Sequence, residues 1–326
     1  MNRGGALSRR GKITGASPTV AVFSTTLSPG RRLPRRWALT VFSYLFLCVS
    51  SFVMIYPVLF MVLGSFTTPD RFLEATFLPI PNTLNIELFL HALRAGAWEA
   101  YVFTLIRVLF YLAINLVVGT LGGYIFSKLR FPGKNRVFLL FLSGMVMPGI
   151  LMIVPMYLMM AWFPLAGGNN LWGHGGHGFI GEWPVLFIYG WVPPFAIFLL
   201  KQSFDMLPTE YEDAAKMDGA GLFTIITRIY GPLLKPPIAA LCIVTFLGVW
   251  NDYLWPSLTI YGQPRFYPIA LKIQTIIMTK VWSPVGVTNY PAVMITYFLA
   301  SWPPALVYFI LQRSFVQGLV ASGLKG

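Results

Sequence analysis

Five of the eleven acidic residues, Asp205, Glu210, Glu212, Asp213 and Asp218, crowd around one polar segment, 207–222. Thr209 and Glu212 make an S/T-x-x-E pattern there, in which hydroxyl and carboxylate cap each other's backbone N–H groups at a helix start. Glu210, Glu212 and Asp213 put negative charge in the first turn, where the helix dipole favours it. Gly219 suits the C-terminal cap. The expected helix, 210–218, is roughly 14 Å long. Ala214 and Ala215 leave part of it without bulk, which permits another surface to approach closely. Two readings are open: an element that docks a partner, or an amphipathic helix lying on lipid. Its acidic first turn argues against binding an anionic leaflet. Residues 222–229 are expected to form a second short helix, ended by Gly231-Pro232.

Other chemistry is sparse. His174 and His177 form an H-x-x-H pair, a spacing that can bind metal, but no Cys or further His stands near it. The glycines around the pair favour a flexible loop instead. No Gly-x4-Gly-Lys-[Ser/Thr] phosphate loop occurs, so ATP is not expected to bind this chain in the usual way.

The elements that carry these residues are apolar. Of 326 residues, 56% are hydrophobic and 11% charged, and the mean hydropathy is +0.67. Soluble domains carry about 25% charged residues, so a soluble enzyme is nearly excluded. Segments 41–63, 108–127, 137–163 and 281–312 contain no Asp, Glu, Lys or Arg, and 183–200 is a shorter apolar run. A membrane-crossing helix needs about 20 mostly apolar residues. The membrane part of 281–312 is expected from Pro291 onward. A further span starts at Ile238 and extends through Asp252 to Trp255, with Trp250, Tyr253 and Trp255 as interfacial anchors. That makes six spans. No His and no paired acids lie inside them, which argues against an intramembrane enzyme. An ion-coupled secondary transporter usually shows internal repeats, and none is found.

Charge placement orients the spans. The formal net charge is +13, a value that in a soluble protein would suggest nucleic acid. Eight Lys and Arg lie in residues 1–36, four between spans 2 and 3, four between spans 4 and 5, and two after span 6. The opposite loops hold five. By the positive-inside rule both termini are cytoplasmic. Nucleic acid is not an expected partner; the lipid bilayer is. Residues 1–36, polar and free of acids, read as a disordered tail and not a secretory signal. Cys48 and Cys242 fall inside spans, so no disulfide framework is expected. Asp252 near the outer end of span 5 is a functional candidate by default, or else a solvated helix-end residue. Arg107, a few residues into span 2, is expected to snorkel outward.

The acidic segment resembles the EAA loop of ABC-importer permeases. Asp213-Ala214-Ala215 stands for Glu-Ala-Ala, Gly219 follows at the family spacing, and Ile229-Tyr230-Gly231-Pro232 stands for Ile-x-Leu-Pro. Asp213 and Gly231 depart from the pattern, as do Phe103-Thr104 where the family shows Asn-Ser. Arg130-Phe131-Pro132-Gly133-Lys134, Trp250-Asn251-Asp252-Tyr253-Leu254-Trp255-Pro256 and the ending from Leu311 to Gly326 are similar to the MalG-type subunit of maltose-type carbohydrate transporters. The likeness runs from about residue 37 to the C-terminus, leaving out the tail 1–36 and the insertion 167–181.

The resemblance implies an all-α polytopic membrane protein of the type I ABC-importer permease fold. It implies a first transmembrane helix over 37–66, a permease core over 99–313 with its coupling loop at 204–232, and a cytoplasmic tail over 314–326. The implied partners are a second, MalF-like permease subunit, two MalK-like ATPase subunits that hold ATP and Mg, and an extracytoplasmic sugar-binding protein. This chain would bind no cofactor. Glu210, Glu212, Asp213, Ala214, Ala215, Asp218, Gly219, Ile229 and Pro232 would couple to an ATPase subunit. Gln317, Gly318 and Lys325 would reach the ATPase interface, and Trp250, Asn251 and Asp252 are candidates for the gate. The loop 261–290 would reach toward the binding protein. The substrate would be an oligosaccharide or related polyol, glycerol phosphate included. Pro148 and Pro155 in span 3, and Pro303-Pro304 in span 6, would act as hinges or as static bends.

Overall fold

The computed structural model describes residues 33–81, 86–188, 193–280 and 290–323. Most of the tail 1–36, part of the loop 261–290, and Lys325 lie outside the described residues. The chain divides into two units, Met1–Met54 and Ile55–Gly326. Among the described residues every regular element is helical. With so many apolar side chains bound for lipid, helices are the way to satisfy each backbone polar group within its own segment.

Helix α1, Leu33–Ser65, is apolar from Leu39 onward, and between Leu39 and Met54 most of its large hydrophobic side chains are exposed. Helix α2, Trp98–Lys128, is the spine of the second unit. Next come α3, Lys134–Val146, and α4, Gly149–Ala161. These two meet at Met147-Pro148 with a bend of 101°, so residues 137–163 are not the straight span expected. Pro148 stands at the N-cap of α4, where its missing N–H costs nothing and its ring ends α3. Pro155 lies within α4, which continues through it.

Helix α5 is Pro194–Asp205 and α6 is Glu210–Met217. Helix α7, Lys235–Trp250, breaks at residues 251–253 and resumes as α8, Leu254–Thr259. Helix α9 is Ile269–Lys280, and α10, Tyr290–Gly323, continues as helix past Pro303 and Pro304. Residues 314–323, expected as a tail, continue α10 as helix, and Gln317 and Gly318 are on it. Among the described residues four helices are long and apolar enough to cross a membrane: 39–65, 98–128, 235–259 and 290–312. The bent α3–α4 pair would make a fifth if it is one span. The run 183–200 appears as a short helix, Val185–Ile188, and the start of α5, with residues 189–192 outside those described.

α2 packs along α5 and α7, and α7 along α10. The α2–α5 contact is close because α2 shows glycine there. A Cβ on Gly119 would meet the Ala196 Cβ at 2.8 Å, and one on Gly123 would meet the Lys201 backbone N at 2.9 Å. Small residues four apart let membrane helices touch backbone to backbone.

Candidate functional site

Helix α6 is fastened to the bundle through its own acid. Thr209 occupies the N-cap position but its hydroxyl makes no capping bond, so the expected capping box does not form. The Glu212 carboxylate turns inward instead. Its Oε1 accepts from the Tyr124 hydroxyl at 2.7 Å and the Lys216 ammonium at 2.7 Å, and its Oε2 accepts from the Tyr230 hydroxyl at 3.1 Å. Three charge-assisted bonds outweigh one backbone cap. Tyr124 belongs to α2 and Tyr230 to the π-helical turn Ile225–Tyr230, so one buried side chain joins three elements. Burial pushes the Glu212 carboxyl up, but Lys216 and the two hydroxyls overcome this and hold it below the usual carboxylate range.

Around this link, Phe204, Ala215, Ile225 and Leu234 form a core with both tyrosines. Ala215 therefore gives close approach to this chain's own core, and it is Ala214 that faces outward. The outer face also shows Glu210, Tyr211, Asp213, Met217 and Asp218. Leu222 and Phe223, in the helical turn just beyond, add exposed apolar surface.

The C-terminal end of α6 follows the expectation. Gly219 adopts φ +77°, its N–H donates to the Lys216 carbonyl at 3.0 Å, and the Ala220 N–H donates to the Ala215 carbonyl at 2.9 Å. This is a Schellman cap, which favours glycine in the left-handed region. The next expectation fails. Helix 222–229 does not stop at Gly231-Pro232; it widens into the π turn and continues as Gly231–Leu233. Pro232 falls in the first turn of that last piece, where no donor is needed. Ile229 packs against the core, while Pro232 is exposed. Further ties hold the segment to the same end of α2. The Ser127 hydroxyl donates to Asp205 at 2.6 Å, and the Lys128 ammonium donates to the Leu207 carbonyl at 2.6 Å.

The opposite end of α2 holds a second link that sequence reasoning did not join up. Arg107 does not snorkel: it is fully buried. Its Nη2 pairs with Asp252 at 2.5 Å, and its Nε donates to the Leu186 carbonyl at 3.2 Å. The Tyr111 hydroxyl donates to the same carbonyl at 3.0 Å. Because α2 begins at Trp98, before the uncharged run, Arg107 lies more than two turns inside the helix and cannot reach its end. Asp252, in the α7–α8 break, is its counter-ion and not a solvated helix end. Trp250 is buried, donates its indole N–H to the Ala300 carbonyl at 3.0 Å and stacks on Phe246. Asn251 is exposed, and its amide donates back to the Leu247 carbonyl.

The insertion 167–181 is not the open loop that its glycines suggested. Asn169 is buried, donates to the Ala161 and Phe163 carbonyls and accepts from the Gly176 N–H. The Gly181 N–H donates to the Thr259 carbonyl at 2.7 Å, which ties the loop to α8. Among the described residues no group of three His, Cys, Asp or Glu could hold a metal.

A polytopic helical protein has thus tied a short, partly apolar surface helix to one end of its central span. Residues 116–320 match the family described as binding-protein-dependent transport system inner membrane component. The maltodextrin transport system permease protein MalD of Streptococcus pneumoniae is 30% identical over 87% of this chain and 95% of its own. The lactose transport system permease protein LacG of Rhizobium radiobacter is 28% identical over 90% and 97%. A crystal structure of a bacterial ABC transporter that imports the acidic polysaccharide alginate has a chain of the same fold. It superposes with a TM-score of 0.70 at 19% identity, covering 88% of this chain and 98% of that one. The chain belongs to the binding-protein-dependent transport system inner membrane component family and is a multi-pass transport permease subunit.

Proposed function

We propose that this chain is the MalG-type subunit of an ATP-driven carbohydrate importer, and that α6 is the element through which ATP does work on it. The observation that carries this reading is the build of α6. Its inner face is bonded to α2 through Glu212, while its outer face presents Ala214, Met217 and acidic side chains beside exposed Leu222 and Phe223. A helix tied at the back, with a mixed apolar and acidic front, suits a groove on another protein.

In this reading two ATPase subunits hold ATP and Mg, a second permease subunit completes the pore, and a binding protein delivers the sugar outside. Both termini and α6 face the cytoplasm. Gln317, Gly318 and Lys325 lie toward the ATPase interface. When ATP closes the ATPase pair, α6 moves as a rigid lever and the permease turns from inward- to outward-facing. ATP shifts the permease only to the extent that the outward state fits the closed ATPases better. The carbohydrate assignment is supported by the names of the relatives, which are lactose and maltodextrin permeases.

The test is purification from native membranes. An ATPase subunit is expected to come with the intact chain, and Met217→Asp with Phe223→Asp is expected to cut its yield at least tenfold without lowering the melting temperature, because both side chains are exposed. Co-purification undiminished by the two charges sinks the docking assignment.

A further inference from the structure

The break between α7 and α8 has two sides. Asp252 is turned to Arg107, whereas Asn251 and Tyr253, on either side of it, line a cavity of about 540 Å³ between the α7 end, α9 and α10. Trp250 and Tyr297 add aromatic surface, Gln274 a second amide and Ser301 a hydroxyl; the rest of the lining is aliphatic. None of the lining residues is an Asp, Glu, Lys, Arg or His. The volume is that of a small-molecule site.

We propose that this cavity is a subsite for uncharged saccharide units on the transport path, an assignment that rests on the carbohydrate reading above. A sugar ring offers an apolar C–H face and a rim of hydroxyls that donate and accept at once. The exposed rings of Tyr253 and Tyr297 suit the first. The amides of Asn251 and Gln274 both donate and accept, and the Ser301 oxygen, whose proton goes to the Tyr297 carbonyl, accepts, which suits the second. An acidic sugar calls for a cation to pair its carboxylate, and this lining supplies none.

The walls are also held in place before a ligand arrives. Arg107 pins Asp252 and with it the turn that carries Asn251 and Tyr253. The Trp250 ring is fixed by its bond to Ala300 and its stack on Phe246. A buried ion pair behind the wall keeps charge out of the cavity while fixing its shape, which is the support a binding site needs.

The experiment uses the full chain in native membranes, with Ser301→Cys as the reporter. Modification by a small maleimide is read by peptide mass, with Cys48 and Cys242, which lie outside the cavity lining, as internal references. Maltotriose and a mannuronate trimer are the probes. At a concentration about twice its Kd, maltotriose is expected to slow labelling of position 301 about threefold by mass action. The acidic trimer is expected to leave it unchanged, and Gln274→Ala to abolish the protection. No protection, equal protection by both trimers, or a position 301 that labels only after another subunit is stripped away overturns the proposal, the last by making this face a subunit interface. Failure of the importer reading shows separately, as the absence of an ATPase subunit from the same membranes.

Discussion

The two ends of α2 are built on opposite principles. Arg107 and Tyr124 stand about 26 Å apart along this one helix, and each ties it to a distant part of the chain. At the Arg107 end a cation with no exposure meets an acid that is 16% exposed. At the Tyr124 end the acid is the buried member, its bonds from α2 and the π turn come from neutral hydroxyls, and its cation, Lys216, is 56% exposed. Separating the first pair strands a charge in the protein, which costs several kcal/mol. Separating the second lets water replace hydroxyls one at a time, and each bond to the charged carboxylate is worth about 1.5–3 kcal/mol. The span thus carries a stiff joint at the end that backs the cavity and a yielding one at the end that carries α6. In the proposed coupling, the joint that is pushed moves while the far one holds.

The stiff joint gives the largest expected effect. Arg107→Met leaves Asp252 without its counter-ion and is expected to cost about 3–5 kcal/mol, read as a collapse of the melting temperature in detergent. Adding Asp252→Leu is expected to recover most of it, because an apolar pair of similar volume replaces a buried ion pair at little cost. A single variant that melts like the intact protein would remove the contrast between the ends. The yielding joint comes next. Glu212→Ala takes the acceptor from the Tyr124 hydroxyl and is expected to cost about 1–3 kcal/mol. The distinguishing readout is coupling: ATP hydrolysis by the assembled complex continues while uptake falls. Glu212→Gln keeps one acceptor oxygen and is expected to lose less of both.

Smaller again is the cap of α6. Nothing lies within 4 Å of a Cβ built on Gly219, so Gly219→Ala pays only for the left-handed backbone. That is about 1–2 kcal/mol, and Gly219→Asn less, since asparagine tolerates that region. Equal losses for the two variants would mean that this position touches a partner, which would move it from the backbone of the lever to its docking face.

What could be read in the sequence follows from how local each cause is. Long uncharged runs report α1, α2 and α10 directly, and the Gly219 cap is written within α6 and its next residues. The pairing of Arg107 with Asp252 spans 145 residues, and that of Tyr124 with Glu212 spans 88. No local pattern encodes either. The capping box fails to form for that reason: Thr209 and Glu212 have the right spacing, but a cap is one local bond and Glu212 bonds instead to Tyr124 and Tyr230. The loop 167–181 departs in the opposite direction. Its glycines signal freedom, and only the structure shows that the Asn169 amide ties both sides of the loop to the end of α4. The residue types of the candidate site were legible; which of them face inward was not.

The smallest effect is with pH, and it is expected at the α6 end. Glu212 and Asp205 both have carboxyls held below their ordinary values despite burial, the first by Lys216 and two tyrosines, the second by Lys201 and Ser127. A lowered folded-state value means that their contribution is complete above the unfolded value, about 4, and is lost as pH falls through the folded one. From pH 8 down to about 5 the α6 end should not change. Below that, amide exchange should rise in residues 205–222, as Glu212 and Asp205 lose the charge that Lys216 and Lys201 hold. Exchange in that segment that stays unchanged in acid would mean that these two carboxylates do not hold α6 to α2.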